Sequence, residues 1–142
     1  MIRPLRRALL AAIAGSPLAA RAAGTGSVPP TPDPRWYRMA EEMKRLALSW
    51  GDQPYGAVLV LDGEAVGLGP SRVVKDRDPD AHAERVAIRD AQRRLGRASL
   101  QGSVLYSTSR PCSLCEAAAA SAGVSRMFHG ASLDDAGPPA KS

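Results

Sequence analysis

Asp80-Ala81-His82-Ala83-Glu84 and, with its first cysteine thirty residues past His82, Pro111-Cys112-Ser113-Leu114-Cys115 are the stretches around which the chain is organised. The chain has two cysteines, both in the second stretch, and two histidines, one in the first. One imidazole, two thiolates and a carboxylate two positions past the imidazole form a donor set suited to a catalytic zinc. Such a site takes three nitrogen or sulfur ligands and keeps a fourth position for water. A structural zinc would want a fourth protein ligand, and His129 is the remaining histidine. Both stretches open predicted helices. A helix start carries roughly half a positive charge, which favours thiolates. Cys112 and Cys115, three apart, share a helix face. Pro111 stands just before a helix start, where a missing amide hydrogen costs little.

Outward from these stretches, the helix opening at Asp80 carries Val86, Ala87, Ala91 and Leu95 on one side and stops at Gly96. Val104 to Thr108 reads as a strand, Cys112 to Ala122 as an alanine-rich helix ending at Gly123, and Val124 to His129 as a further strand on which His129 is structural. Upstream, Tyr55 to Leu61 is rich in β-formers. Asp62-Gly63 is a hairpin turn signal, and Glu64 to Gly69 returns as the second strand. Pro70 to Pro79 is a charged loop. Asp33-Pro34 reads as an N-cap with proline at the first helical position. Trp36, Met39, Ala40, Met43, Leu46, Ala47 and Trp50 follow at helical spacing, as an apolar stripe that packs on a sheet. Four strands are predicted, and nothing after Asp135 has a regular pattern. Strands joined through helices give an α/β chain whose sheet is covered by helices.

A length of 142 residues suits about one domain, and 44% apolar residues suffice for a core. No apolar run approaches the ~18 residues of a membrane span. Residues 1–22 read as an export signal. Arg3, Arg6 and Arg7 precede the apolar run Ala8 to Ala14, and Ala20-Arg21-Ala22 fits a cleavage site. Arg6-Arg7-Ala8-Leu9-Leu10 resembles a twin-arginine signal, with an ordinary secretory signal as the alternative. Residues 23–33, dominated by Gly and Pro, read as a linker. The whole chain has 19 basic and 14 acidic residues; four arginines leave with residues 1–22, so the mature chain is 15 against 14, or +1. That balance argues against a nucleic-acid partner, which normally needs clustered positive charge. Periplasmic localisation is the matching expectation.

His82-x-Glu84 followed by Pro111-Cys112-x-x-Cys115 resembles the zinc motif of the cytidine and deoxycytidylate deaminase superfamily. The likeness is greatest to the branch of guanine deaminases, cytosine deaminases of the same fold and tRNA adenosine deaminases. It extends from about Tyr55 to Asp135, through Pro54-Tyr55-Gly56-Ala57-Val58, Ala87-Ile88-Arg89, Leu105-Tyr106-Ser107-Thr108 and Phe128-His129-Gly130-Ala131-Ser132-Leu133-Asp134-Asp135. The resemblance implies a three-layer α-β-α fold with a mixed sheet, occupying residues 34–135, and a flexible tail at 136–142. It implies one zinc per chain on His82, Cys112 and Cys115, Glu84 as the proton shuttle, and the Ala83 amide, Ser71 and Tyr55 against the substrate. The implied activity is hydrolytic deamination of a base or nucleoside with release of ammonia, in at least a homodimer. This chain departs from the pattern at three places. Ser71 stands where the branch often has asparagine, Arg110 stands where it commonly has glutamate, and the fifth strand and closing helix of relatives are expected to be shortened.

Two bland readings stand beside this one. Cys-x-x-Cys after a strand and opening a helix also suits a thioredoxin-like redox site. However, 27 residues after Cys115 leave little room for that fold, and His82 and Glu84 would go unexplained. A zinc-binding protein without turnover is the other alternative. A tRNA adenosine deaminase is the alternative within the family, and export is the argument against it.

Overall fold

The computed structural model describes residues 31–141. The expected leader at 1–22 and most of the expected linker at 23–33 lie outside the described residues. Among the described residues no helix is long and apolar enough to cross a membrane.

Helix α1 (Pro34–Ser49) begins where its cap predicts, with the Asp33 carboxylate accepting from the Arg35 amide at 2.9 Å. Strands β1 (Gly56–Leu61) and β2 (Glu64–Pro70) form an antiparallel hairpin. Its turn is Asp62 (φ 51°) and Gly63 (φ 75°), the left-handed pair that a two-residue hairpin demands. Helix α2 (Ala83–Leu95), strand β3 (Val104–Ser107), helix α3 (Ser113–Ala122) and strand β4 (Arg126–His129) follow in the expected order.

The sheet order is β2-β1-β3-β4-β5, with β3 and β4 parallel and the other neighbours antiparallel. Alternation along the central strands separates two cores. Ala57, Leu59, Leu105 and Met127 face α2 and α3, and cluster with Ala83, Ala87, Ala91 and Ala119. Val58, Val60, Tyr106 and Phe128 face α1, and cluster with Trp36 and Ala40. This is the expected three-layer α-β-α arrangement, and it explains the near-continuous apolar run of β1, which is buried on both faces.

One expectation is corrected. A fifth strand, β5 (Asp134–Gly137), pairs antiparallel with β4, so the sheet has five strands and the domain runs past Asp135 into the expected tail. Asp134-Asp135-Ala136-Gly137 has no strand propensity of its own. The open edge of β4 supplies the pairing. The chain reverses through Gly130 (φ 72°) and Leu133 (φ 54°), whose amide bonds back to the Gly130 carbonyl.

The two outer contacts of the hairpin use the absence of side chains. At Gly69 an added Cβ would lie 2.7 Å from the Ala87 amide nitrogen and closer still to the Ala83 carbonyl oxygen; at Gly67 it would lie 2.8 Å from the Ala91 Cβ. Helix α2 therefore rests directly on the β2 backbone. The buried Asp90 carboxylate reinforces that contact by accepting from the Leu68 amide at 2.9 Å.

Candidate active site

His82 and Cys112 are the N-cap residues of α2 and α3, each extended (ψ 151° and 167°) and neither using its side chain as a cap. Both side chains are thereby free to point off the helix ends. Cys115 follows one turn into α3. The sheet sets the two helix starts side by side, although 30 residues and the whole of β3 separate them. His82 Nδ1 lies 3.7 Å from Cys112 Sγ and 3.5 Å from Cys115 Sγ, and the three donor atoms all lie within 4.8 Å of one another. Tetrahedral zinc with ordinary Zn–N and Zn–S bonds needs nitrogen-to-sulfur edges of about 3.6 Å. The donor set and its spacing therefore fit the ion. His129 stands apart, half-buried on β4 beside Ser107 in register, and among the described residues it joins no metal-ligating cluster.

Glu84 is buried at 6% exposure, and its Oε2 lies 3.6 Å from Cys115 Sγ. Burial raises its pKa, against the opposing pull of its own amide, Cys115 and His82. Burial pushes the Cys115 thiol up as well, with the negative charge of Glu84 and contact with Cys112 adding to it. Without a cation the pair favours protons on both groups, whereas a coordinated thiol is deprotonated outright.

His82, Glu84 and Cys112 open into a cavity of about 290 Å³ whose other walls are Gln53, Tyr55, Ala83, Ser109 and Arg110. Larger hollows beside α1 and between α2 and α3 contain none of the three donors. Of the residues expected against substrate, Ala83 and Tyr55 line this cavity, and Ser71 does not. Ser71 is fully buried, and its hydroxyl donates to Asp52 at 2.9 Å. The position is therefore spent on structure.

Asp52 is the residue that sequence reasoning missed. It is buried at 6% exposure and accepts from the Gln53, Val74 and Lys75 amides as well as from Ser71. Burial pushes its pKa up, but the bonds from Lys75, Gln53, Ser71 and Val74 outweigh this and hold it below the usual carboxylate value. Arg72 and Lys75 stack on Trp50 beside it. Asp52 thus ties the exit of α1, the end of β2 and the following loop into one block, and the cavity residues Gln53 and Tyr55 extend from that block. A lone carboxylate just past a helix end and two residues before a proline was the available signal.

Two helix starts that bring an imidazole and two thiolates together over a mixed sheet, with a buried carboxylate in the same cavity, define a metal-centred hydrolytic site. The family model described as the cytidine and deoxycytidylate deaminase zinc-binding region matches residues 30–131, and the chain belongs to that zinc-dependent deaminase family. A tRNA-specific adenosine deaminase of Buchnera aphidicola subsp. Schizaphis graminum is 34% identical over 103 residues, which cover 72% of this chain and 68% of that protein. A guanine deaminase of Bacillus subtilis is 40% identical over 83 residues, 58% of this chain and 53% of that protein. The chain spans about half the length of several of the curated relatives it matches. A structure solved in a study of A-to-I editing by tRNA:A34 deaminases matches with a TM-score of 0.67 at 37% identity, covering 69% of this chain and 71% of the other. These tRNA-acting relatives overturn the expectation against a nucleic-acid partner. That expectation rested on net charge, which says nothing about where individual cations stand, and on the export expected from residues 1–22.

Proposed function

We propose that this protein removes the exocyclic amino group of a purine or pyrimidine base by hydrolysis, releasing ammonia. The observation that carries the reading is the meeting of His82, Cys112, Cys115 and Glu84 at one cavity. His82 and the two thiolates would hold one zinc per chain, which would supply the Lewis acidity that makes water nucleophilic near neutral pH. Glu84 does the proton work. Its carboxylate takes a proton from water and delivers it to the ring nitrogen as the hydroxyl adds to the neighbouring carbon. It then takes the proton of that new hydroxyl and passes it to the amino group, so that the carbon–nitrogen bond breaks, ammonia leaves and the ring carbonyl forms. Burial raises the pKa of Glu84, which makes its carboxylate a stronger proton acceptor than an exposed one. The Ala83 amide donates to the base and holds it beside Glu84. Tyr55 forms a partly apolar wall against the ring.

A second reading, adenosine within tRNA as the substrate, is favoured by the tRNA-specific relatives. The test is ammonia release by zinc-loaded protein on bases, nucleosides and a tRNA anticodon stem-loop, with zinc content measured in parallel. Turnover on none of them by fully metallated protein would overturn the proposal. A homodimer belongs to the reading as well, supported by Leu114, 58% exposed beside Cys115, and is checked by light scattering. So does export, supported by the composition of residues 1–22 and checked by N-terminal sequencing.

A further inference from the structure

Arg110 is the one cation in the cavity wall. Seven arginines among the described residues sit in ion pairs with aspartates. Arg110 has no such pair and makes no hydrogen bond to another described residue. The only carboxylate in the cavity, Glu84, is buried. The mount of Arg110 is fixed while its head is free. On one side the Ser109 carbonyl accepts from the Ser107 hydroxyl at 2.7 Å, and on the other come the buried Pro111 and the helix-capping Cys112. Ser109 and Gln53 add further donors to the same wall.

The charge balance of the cavity makes this position informative. Arg110 carries the permanent positive charge on the cavity lining, so an anion entering the cavity finds its partner there. Arg110 is exposed and lines the cavity, and its guanidinium can form paired hydrogen bonds, the geometry that phosphate oxygens accept. A neutral base offers that group uncharged acceptors, whereas a phosphate adds the charge that makes such hydrogen bonds roughly twice as strong.

Resting on the deaminase reading, we propose that Arg110 binds a phosphate on the substrate, so that the substrate is a phosphorylated nucleoside rather than a free base or nucleoside. The phosphate belongs either to a free nucleoside monophosphate or to a polynucleotide, and the experiment separates them.

Zinc-loaded full-length protein is compared with Arg110→Gln, Arg110→Lys and Arg38→Gln, the last removing the same charge from α1. Turnover is measured on adenosine, guanosine and cytidine, on their 5′-monophosphates, and on an anticodon stem-loop. Binding of the same ligands is measured in a Glu84→Gln background, with and without Arg110→Gln. The expected result is a loss of about 10- to 100-fold in kcat/KM and in affinity for the phosphorylated ligand on Arg110→Gln, the size of one charged hydrogen-bond contact. Arg110→Lys should recover part of it, and Arg38→Gln and the unphosphorylated nucleoside should be unaffected. Loss confined to the stem-loop assigns the phosphate to a polynucleotide, and loss with the monophosphate assigns it to a free nucleotide. Binding that depends on phosphate and Arg110 without any turnover sustains this proposal while sinking the deaminase reading. Equal losses in Arg110→Gln and Arg38→Gln, equal handling of nucleoside and nucleotide by the wild type, or no binding of any ligand overturns it.

Discussion

Gly69→Ala tests whether the direct seat of α2 on β2 sets the metal site. The added methyl would lie 2.7 Å from the Ala87 nitrogen and 2.8 Å from the Ala87 Cβ. Comfortable carbon contacts begin near 3.5 Å, so α2 must retreat by roughly 1 Å. The nearest obstacle is the carbonyl of Ala83, the residue between His82 and Glu84. The His82–thiolate distances of 3.5 and 3.7 Å therefore change by more than the ~0.2 Å that a metal site tolerates. Overpacking of this kind costs about 1–3 kcal/mol of stability. A reactive-group displacement of that size lowers turnover roughly 10²-fold. Gly67→Ala strikes α2 one turn further along, at Ala87 and Ala91, and should cost similar stability with a smaller loss of zinc. Urea unfolding, zinc competition with a chelator, and ammonia release on one substrate measure the three effects. A Gly69→Ala protein that unfolds at the wild-type midpoint and holds zinc as tightly as wild type would refute the reasoning.

Glu84→Gln should leave zinc content and fold intact and lower turnover by at least ~10²–10⁴-fold; equal rates in the two proteins would sink Glu84 as the proton carrier. Cys112→Ser and Cys115→Ser should each lose zinc while His129→Ala keeps it, as elemental analysis will show; equal loss in His129→Ala would mean a four-ligand structural site. Asp52→Asn turns amide hydrogens toward donors that now share a carboxylate, and should cost about 1–3 kcal/mol of stability. Asp52 has a depressed folded-state pKa, so its contribution is fully present above the unfolded value near pH ~3.9 and is lost as pH falls through the folded value. The acid limb of an unfolding-versus-pH curve below about pH 4 should therefore be shallower in Asp52→Asn, and identical limbs would count against the hub.

The ligand set was legible in the sequence because its chemistry rests on scarce residue types. Two cysteines and one histidine at helix starts leave few alternatives, and the Asp33-Pro34 cap and Asp62-Gly63 turn are local signals read without knowing the fold. β5 was not legible. Its four residues carry no strand preference, and the edge of β4 makes them a strand. Ser71 failed for a related reason. A family pattern placed a polar side chain toward the substrate, but a carboxylate 19 residues away occupies its hydroxyl. The Asp52 block joins residues up to 23 apart through backbone amides, which leave no mark in composition. Arg110 was visible as a departure from a pattern, but its lack of a partner is a property of the folded cavity alone.

The ligands divide between two helix starts on either side of β3, with His82 and Cys115 33 positions apart. A metal joining them is therefore also a covalent-like tie that closes a loop of that length. Chain-entropy arithmetic for a cross-link of this span gives about 4 kcal/mol taken from the unfolded state. Stripping the ion would return that entropy to the unfolded chain and lower the stability of the whole fold, as well as stop chemistry. A protein starved of zinc would then be lost to unfolding and proteolysis, and its abundance would follow metal supply before its activity per molecule did.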